Sequence, residues 1–390
     1  MNYIFFDGFA HVNLLPLTFT KPVSELRVGI LTIKEKWSKY LSTESFSYMT
    51  DEYLAEKFPV KITDDNVIIN GSVLPSNSLA SKVKDLQPNQ RLIYNEMVVA
   101  ARLNENQIKT GDFSGLESID IEEGLDILTK TWDLFKKNDS ELRKDFELLT
   151  SGKTSKALNS TNTVLGNNIF VEEGAKVNCA ILNSQSGPIY IGKNTEIMEG
   201  SVIRGPFAMN EGAVLKLSSK IYGATTLGPY CKVGGEVNNS ILQGYSNKGH
   251  DGFLGNSVIG EWCNLGADTN NSNLKNNYGN IKVWDYASND YVNSGLQFCG
   301  LIMGDHSKTG INTMLNTGTV VGVNSNIFGG GFPKKYIPSF SWGGADGFTT
   351  FKLEKSYEVS ERMMERRGVE LTEADKKIMR HIFNFSTSKN

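Results

Sequence analysis

Ser246-Asn-Lys-Gly-His-Asp-Gly-Phe-Leu-Gly-Asn-Ser-Val-Ile-Gly-Glu-Trp-Cys-Asn-Leu-Gly-Ala267 sets one histidine, His250, among the aliphatic-glycine pairs Leu254-Gly255, Ile259-Gly260 and Leu265-Gly266. An apolar residue returning about every six positions fits neither the helical period nor the strict alternation of a hairpin strand. It is the hexapeptide repeat of a parallel β-helix, in which each unit supplies one short strand and one corner. The interval recurs on both sides of this stretch. Leu165, Val171 and Val177 show it, as do Ile191, Ile197 and Ile203, then Leu227 and Val233, and finally Leu315, Val321 and Ile327. Three units close a coil, so residues 156–345 are expected to stack roughly 8 to 10 coils.

With 390 residues the chain exceeds one ordinary core, which predicts more than one domain. Lys and Arg total 40 against 43 Asp and Glu, a net charge of -3 that offers no basic field for nucleic acid or an anionic membrane. Cys179, Cys231, Cys263 and Cys299 are scattered without a CxxC pair, which signals neither a disulfide framework nor a metal site. No signal-peptide core and no run of 18 apolar residues is found, so a cytoplasmic protein is expected.

At the start of the chain, Tyr3-Ile-Phe-Phe6 closed by Asp7-Gly8 reads as a buried parallel strand, and Asn66-Val-Ile-Ile-Asn-Gly71 as a second. The amphipathic stretch from Ile30 to Leu41 lies between them, which predicts an α/β layer over residues 1–150 with a helical linker at its end. Leu14-Leu-Pro-Leu-Thr-Phe-Thr-Lys-Pro22 resembles the opening of a sugar-phosphate nucleotidyltransferase domain, here in reduced form. That resemblance implies a nucleotide site near Gly8, with Lys21 and Arg27 as nearby cations, and Mg²⁺ only if the domain is active. The family's phosphate and metal groups are replaced, with Asn13 for an arginine, Val23 for a lysine and Ser72 for an aspartate. Loss of three charge-neutralising groups predicts a domain that is weak or silent as a catalyst. Asp7 is the nearest alternative carboxylate, and a turn-capping role is expected for it.

The β-helix resembles the acetyltransferase domain of the bifunctional N-acetylglucosamine-1-phosphate uridyltransferase/glucosamine-1-phosphate acetyltransferase family and of archaeal sugar-1-phosphate enzymes. Gly205-Pro-Phe-Ala208, Glu236, Lys248-Gly-His250, Leu254-Gly255, Ile259-Gly260, Leu265-Gly-Ala267 and Asn273 carry the match. The resemblance implies a left-handed coil, acetyl-CoA as co-substrate, a hexosamine 1-phosphate as acceptor and a homotrimer with shared sites. His250 takes the general-base position, the Ala267 N–H the oxyanion position and Asn273 the sugar amide. Lys220 stands at a phosphate arginine, Phe253 at a tyrosine and Asn238 at a phosphate lysine, with Lys248 beside them as a further substrate contact. His306 with Lys308, in a glycine-rich turn, is a second phosphate-binding candidate. The expected activity is N-acetyl transfer. Sugar-1-phosphate uridylyl or thymidylyl transfer with the β-helix as scaffold is the alternative, and a non-catalytic sugar-nucleotide-binding regulator the third reading.

After the repeat, residues 349–385 are predicted to form two capping helices, the second opened by a capping box at Thr372-Glu-Ala-Asp375. The end from Ser386 to Asn390 is expected to fray.

Overall fold

The six-residue interval builds a three-sided parallel solenoid in the computed structural model, which describes residues 1–388. Strands of two to four residues stack into sheets of six, nine and ten strands. The first face runs from Thr163–Leu165 to Phe253–Gly255, the second from Ile169–Val171 to Tyr336–Ile337, and the third begins at Lys176–Val177. Register keeps like positions above one another. On the third face Val177, Ile197, Leu215 and Val233 align inward, followed by Lys248, while Leu265, Thr309 and Ile327 continue the same row. These aliphatic rows form one continuous buried core. Lys248 alone among them brings a charge inside.

One corner of the coil demands left-handed backbone, and Tyr230, Tyr245, Trp262 and His306 supply it with φ of 57°, 54°, 59° and 61°. Such residues cost about 1–2 kcal/mol each. Stacking offsets part of this cost, since neighbouring rings lie 5.3, 4.2 and 6.3 Å apart in a single ladder. The repeat spacing gave no sign of one departure. Between Asn270–Asn271 and Leu301–Met303 the chain leaves the coil for an antiparallel hairpin, Lys282–Asp285 with Asp290–Asn293. The coil then resumes, with Val258 paired to Ile302.

Two compact units divide the chain, one of them Met1–Leu14, Thr20–Leu26 and Leu31–Lys130. Its sheet has the order β2 (Phe46–Met49), β1 (Asn2–Phe6), β3 (Asn66–Asn70), β5 (Met97–Leu103), β4 (Gln90–Tyr94), β6 (Glu117–Asp120). Both predicted strands, β1 and β3, are central and pair in parallel. A four-residue turn, α1 (Ala10–Asn13), follows β1, and α2 (Ile33–Leu41) opens on a capping box between Thr32 and Glu35. Thr32→Ala should cost about 1 kcal/mol in urea unfolding. An unchanged midpoint would show that the cap contributes nothing.

The other unit is Leu15–Phe19, Arg27–Ile30 and Thr131–Asn390, so the helix at Asp133–Thr150, named last among the first domain's elements by sequence, groups with the solenoid. Its polar side chains show why. Asn138 Oδ1 accepts from Gly29 N and its Nδ2 donates to Ala224 O, while Asp145 Oδ2 accepts from Ile30 N. The two expected terminal helices form at Leu353–Glu365 and Glu373–Thr387, with Thr372 and Asp375 making the predicted box. Phe383 packs edge-on against Phe340 at the end of the coil, 5.2 Å between centroids. Ser386 and Thr387 belong to the last helix, and positions 389–390 lie outside the described residues. Among the described residues no helix is long and apolar enough to cross a membrane.

Candidate functional site

His250 follows the third-face strand Asn247–Lys248 by two residues and precedes the first-face strand Phe253–Gly255, which puts it on the corner joining the two faces. Its side chain is exposed. The backbone beneath it is fixed from two directions. Lys248, 1% exposed, donates from Nζ to His250 O at 2.8 Å and to Gly234 O at 3.2 Å. Burial pushes the Lys248 ammonium down to about 8, against the opposing pull of Asp251 and Asp268. In the preceding coil the same corner is cut back to Gly234-Gly235 between Val233 and Glu236. A Cβ at Gly235 would stand 2.9 Å from His250 O, and its φ of +74° already requires glycine.

One coil further on, Ala267 occupies the matching position, where Asp268 N donates to Asp251 O at 2.9 Å. Among the described residues the Ala267 N–H meets no protein acceptor, while its carbonyl accepts from Asn312 N at 2.8 Å. The exposed His250 imidazole therefore shares a corner with a backbone donor one coil further on.

The first face beside this corner gathers most of the remaining sequence candidates. Lys220, Glu236 and Phe253 are aligned in one row, and Tyr222, Asn238 and Gly255 in the next. Gly255 lies under two of them, since a Cβ there would come within 2.5 Å of the Phe253 ring and 2.7 Å of Asn273 Nδ2. Asn273 Nδ2 donates to Asn256 Oδ1 at 2.8 Å. Tyr222 and Glu236 received no role from sequence, yet the Tyr222 hydroxyl donates to Glu236 Oε1 at 2.5 Å. Burial, then that carboxylate, raises the Tyr222 phenol. Their spacing of fourteen could have exposed the pair only once the coil length was known.

Three candidates are placed elsewhere. Lys248 points into the core rather than toward the first face, so the structure gives it carbonyls instead of a substrate. His306 is 6% exposed under the ring ladder, and Lys308 Nζ donates to its carbonyl at 2.7 Å, with burial pushing that ammonium down to about 8. That geometry builds a corner rather than an open phosphate site. Arg27 groups with the solenoid, where its backbone N–H and carbonyl pair with the Gln243 amide at 2.6 and 3.0 Å and its guanidinium donates to Ile30 O.

In the first unit Gly8 lies two residues beyond β1 at φ +51°, in the turn that leads into α1. His11, in α1, is buried, with Nε2 3.0 Å from the Tyr53 hydroxyl and 3.2 Å from Asp51 Oδ2. Both oxygens of buried Asp7 are engaged, Oδ1 by Val23 N at 2.9 Å and Oδ2 by the Thr50 hydroxyl at 2.5 Å. These bonds tie Asp7 to segments 16 and 43 positions away rather than capping its own turn, which differs from the expected turn-capping role. Lys21 is 5% exposed.

Residues 3–154 match the sugar nucleotidyl transferase family. The chain therefore carries a sugar nucleotidyl transferase domain followed by a parallel β-solenoid. In that domain Ser72 donates from both its backbone N and its hydroxyl to Asn70 Oδ1, at 3.0 and 2.8 Å, so the position is committed to a local turn. Among the described residues no three His, Cys, Asp or Glu side chains cluster as metal ligands. No curated protein matches the chain. Solved structures similar to it include the polySia specific acetyltransferase NeuO, at 15% identity over 50% of this chain and 87% of that one, with a TM-score of 0.24. AntD, an N-acyltransferase from Bacillus cereus solved with dTDP and coenzyme A, is 12% identical over 52% of this chain and 91% of its own, with a TM-score of 0.22.

Proposed function

We propose that this chain is an acyl-CoA-dependent N-acyltransferase acting on a hexosamine 1-phosphate, with acetyl-CoA as donor. The observation that supports it is the exposed His250 imidazole on a backbone held by Lys248 and Gly235, beside the unengaged Ala267 N–H. His250 removes a proton from the acceptor amine as its nitrogen attacks the thioester carbonyl. The Ala267 N–H receives the oxyanion of the tetrahedral intermediate. Collapse breaks the carbon–sulfur bond, and the departing thiolate takes the proton from the imidazolium. Lys220 meets the sugar phosphate on the first face, where Asn238, Phe253 and Asn273 shape the sugar site. The test is thiol release from acetyl-CoA with glucosamine 1-phosphate. Release that requires the amine supports the reading, and its absence with a panel of hexosamine phosphates would defeat it.

The corner also calls for a neighbour. Leu217 and Ile311 each stand two residues beyond a third-face strand, as His250 does, and are 64% and 69% exposed. Aliphatic side chains on one row with the base favour burial against a second copy, in a homotrimer with shared sites. Sedimentation should give three subunits at micromolar concentration, and a stable monomer would contradict this.

The family match of residues 3–154 favours a second reading, sugar-1-phosphate nucleotidyl transfer. Against it, both Asp7 oxygens are engaged, and Arg27 is committed to the Gln243 amide through its backbone and to Ile30 O through its guanidinium. Mg²⁺, a nucleoside triphosphate and a sugar 1-phosphate should therefore yield no pyrophosphate above background. Robust release abolished by Asp7→Asn would restore this function.

A further inference from the structure

The third face, on the other side of His250, carries two cations with no catalytic assignment, Lys216 and Lys232. Val214, Lys232 and Asn247 align in successive coils. Neighbouring strands of a sheet stand about 4.8 Å apart. Lys216 passes over the next backbone step, its Cβ lying 3.2 Å from where a Gly234 Cβ would be. The helix Leu353–Glu365 brings two more. It ends in a turn in which Arg367 N and Val369 N donate to Met364 O, at 2.8 and 3.1 Å, and Gly368 N to Glu365 O at 2.9 Å. This turn fixes Arg366 and Arg367, and Arg367 Nη2 reaches Asn247 Oδ1 at 3.3 Å, directly beside Lys232.

Among the described residues no carboxylate pairs with the group. Lys355 and Arg362 on the same helix pair with Glu358, whereas among the described residues Lys216, Lys232, Arg366 and Arg367 form no ion pair. Glu211 and Glu261 act on the neighbouring Tyr245, which also feels Arg367. The helix C-terminus contributes only a partial negative charge. The repulsion registers on Lys232, whose ammonium is pushed below the ordinary lysine value by Arg367 first, then by burial, Lys216 and Arg366. Four like charges held together by backbone register and a hydrogen-bonded turn cost stability that a fold has no reason to spend.

We propose that Lys216, Lys232, Arg366 and Arg367 form a binding surface for an organic diphosphate, the group common to coenzyme A and nucleotide sugars. Arginine offers a planar pair of donors to phosphate oxygens, and the lysines add point charges around it. The surface does not depend on the role of His250. Under the acyl-transfer reading its ligand is the diphosphate of the donor, with the two substrates approaching the His250 corner from opposite faces; that assignment rests on the reading above.

Calorimetric titration of the full chain with inorganic pyrophosphate, coenzyme A and a UDP-sugar tests the site directly. Lys232→Gln and Arg367→Gln should each weaken binding by roughly tenfold. Lys136→Gln, an exposed cation on another helix, should change it less than about twofold. His250→Ala should bind like the wild type, which separates failure of this site from failure of the acyl-transfer reading. In the absence of ligand, Lys232→Gln should melt no lower than the wild type, because it relieves repulsion. Tighter binding of coenzyme A or of the UDP-sugar identifies the source of the diphosphate. Absence of binding by all three probes, or equal binding by the wild type and Arg367→Gln, would overturn the proposal. So would a loss of binding by Lys232→Gln accompanied by a lower melting point, if Arg367→Gln retains full affinity.

Discussion

His250→Ala lowers acyl transfer by about 10² to 10⁴ and leaves the fold intact, the outcome expected when a general base is removed. The side chain is exposed and contributes nothing to the core, so unfolding by urea should be unchanged. The backbone that carries it is held by Lys248 and the short Gly234-Gly235 corner, and neither depends on the imidazole. Equal thiol release by a folded His250→Ala protein would remove the base from the mechanism. Loss of activity together with loss of the melting transition would show instead that His250 is structural.

The second large effect belongs to Lys248. Its ammonium, 1% exposed, falls from the ordinary 10.5 to about 8, chiefly through burial. A lysine lowered on folding binds its proton less tightly in the folded state than in the unfolded one. The penalty is complete below pH 8 and is lifted as the pH rises toward 10.5, which gives about 3 kcal/mol of stability gained across that window. The two carbonyl acceptors offset part of it. Lys248→Met removes the titrating group, so the gap in unfolding free energy between variant and wild type should change by a few kcal/mol from pH 7 to pH 10.5. A gap independent of pH would contradict the depressed ammonium. The same variant frees His250 O and Gly234 O, and turnover should drop with little change in KM, as expected when a corner loses its anchor rather than its substrate contact.

Much of the architecture was legible because the hexapeptide interval has a single physical solution. An aliphatic residue every six positions buries its side chain only if the chain coils, and the rows from Val177 to Ile327 follow from that. The strands β1 and β3 were equally plain as short apolar runs closed by turn residues. Less visible was whatever depended on coil length. The corner at Val233-Gly-Gly-Glu236 is shorter than its neighbours, and only stacking shows that those glycines lie against His250 O. Lys248 reads in sequence as a substrate contact within the Lys248-Gly-His250 motif, yet the register places it in an inward row. Arg27 sits among residues of the first domain in sequence but is tied by its backbone to Gln243, more than two hundred positions away. The cationic group was out of reach for the same reason, since Arg367 and Lys232 come together only when the helix Leu353–Glu365 ends beside the coil.

The most direct test of the central claim is where the acyl group lands. Single-turnover reaction of the wild-type protein with acetyl-CoA and ¹⁵N-labelled glucosamine 1-phosphate, followed by nitrogen-edited NMR, should show a new acetamido N–H signal appearing in step with free thiol. An unchanged amine, with the acetyl group absent or carried on a hydroxyl oxygen, would contradict N-acyl transfer at the His250 corner.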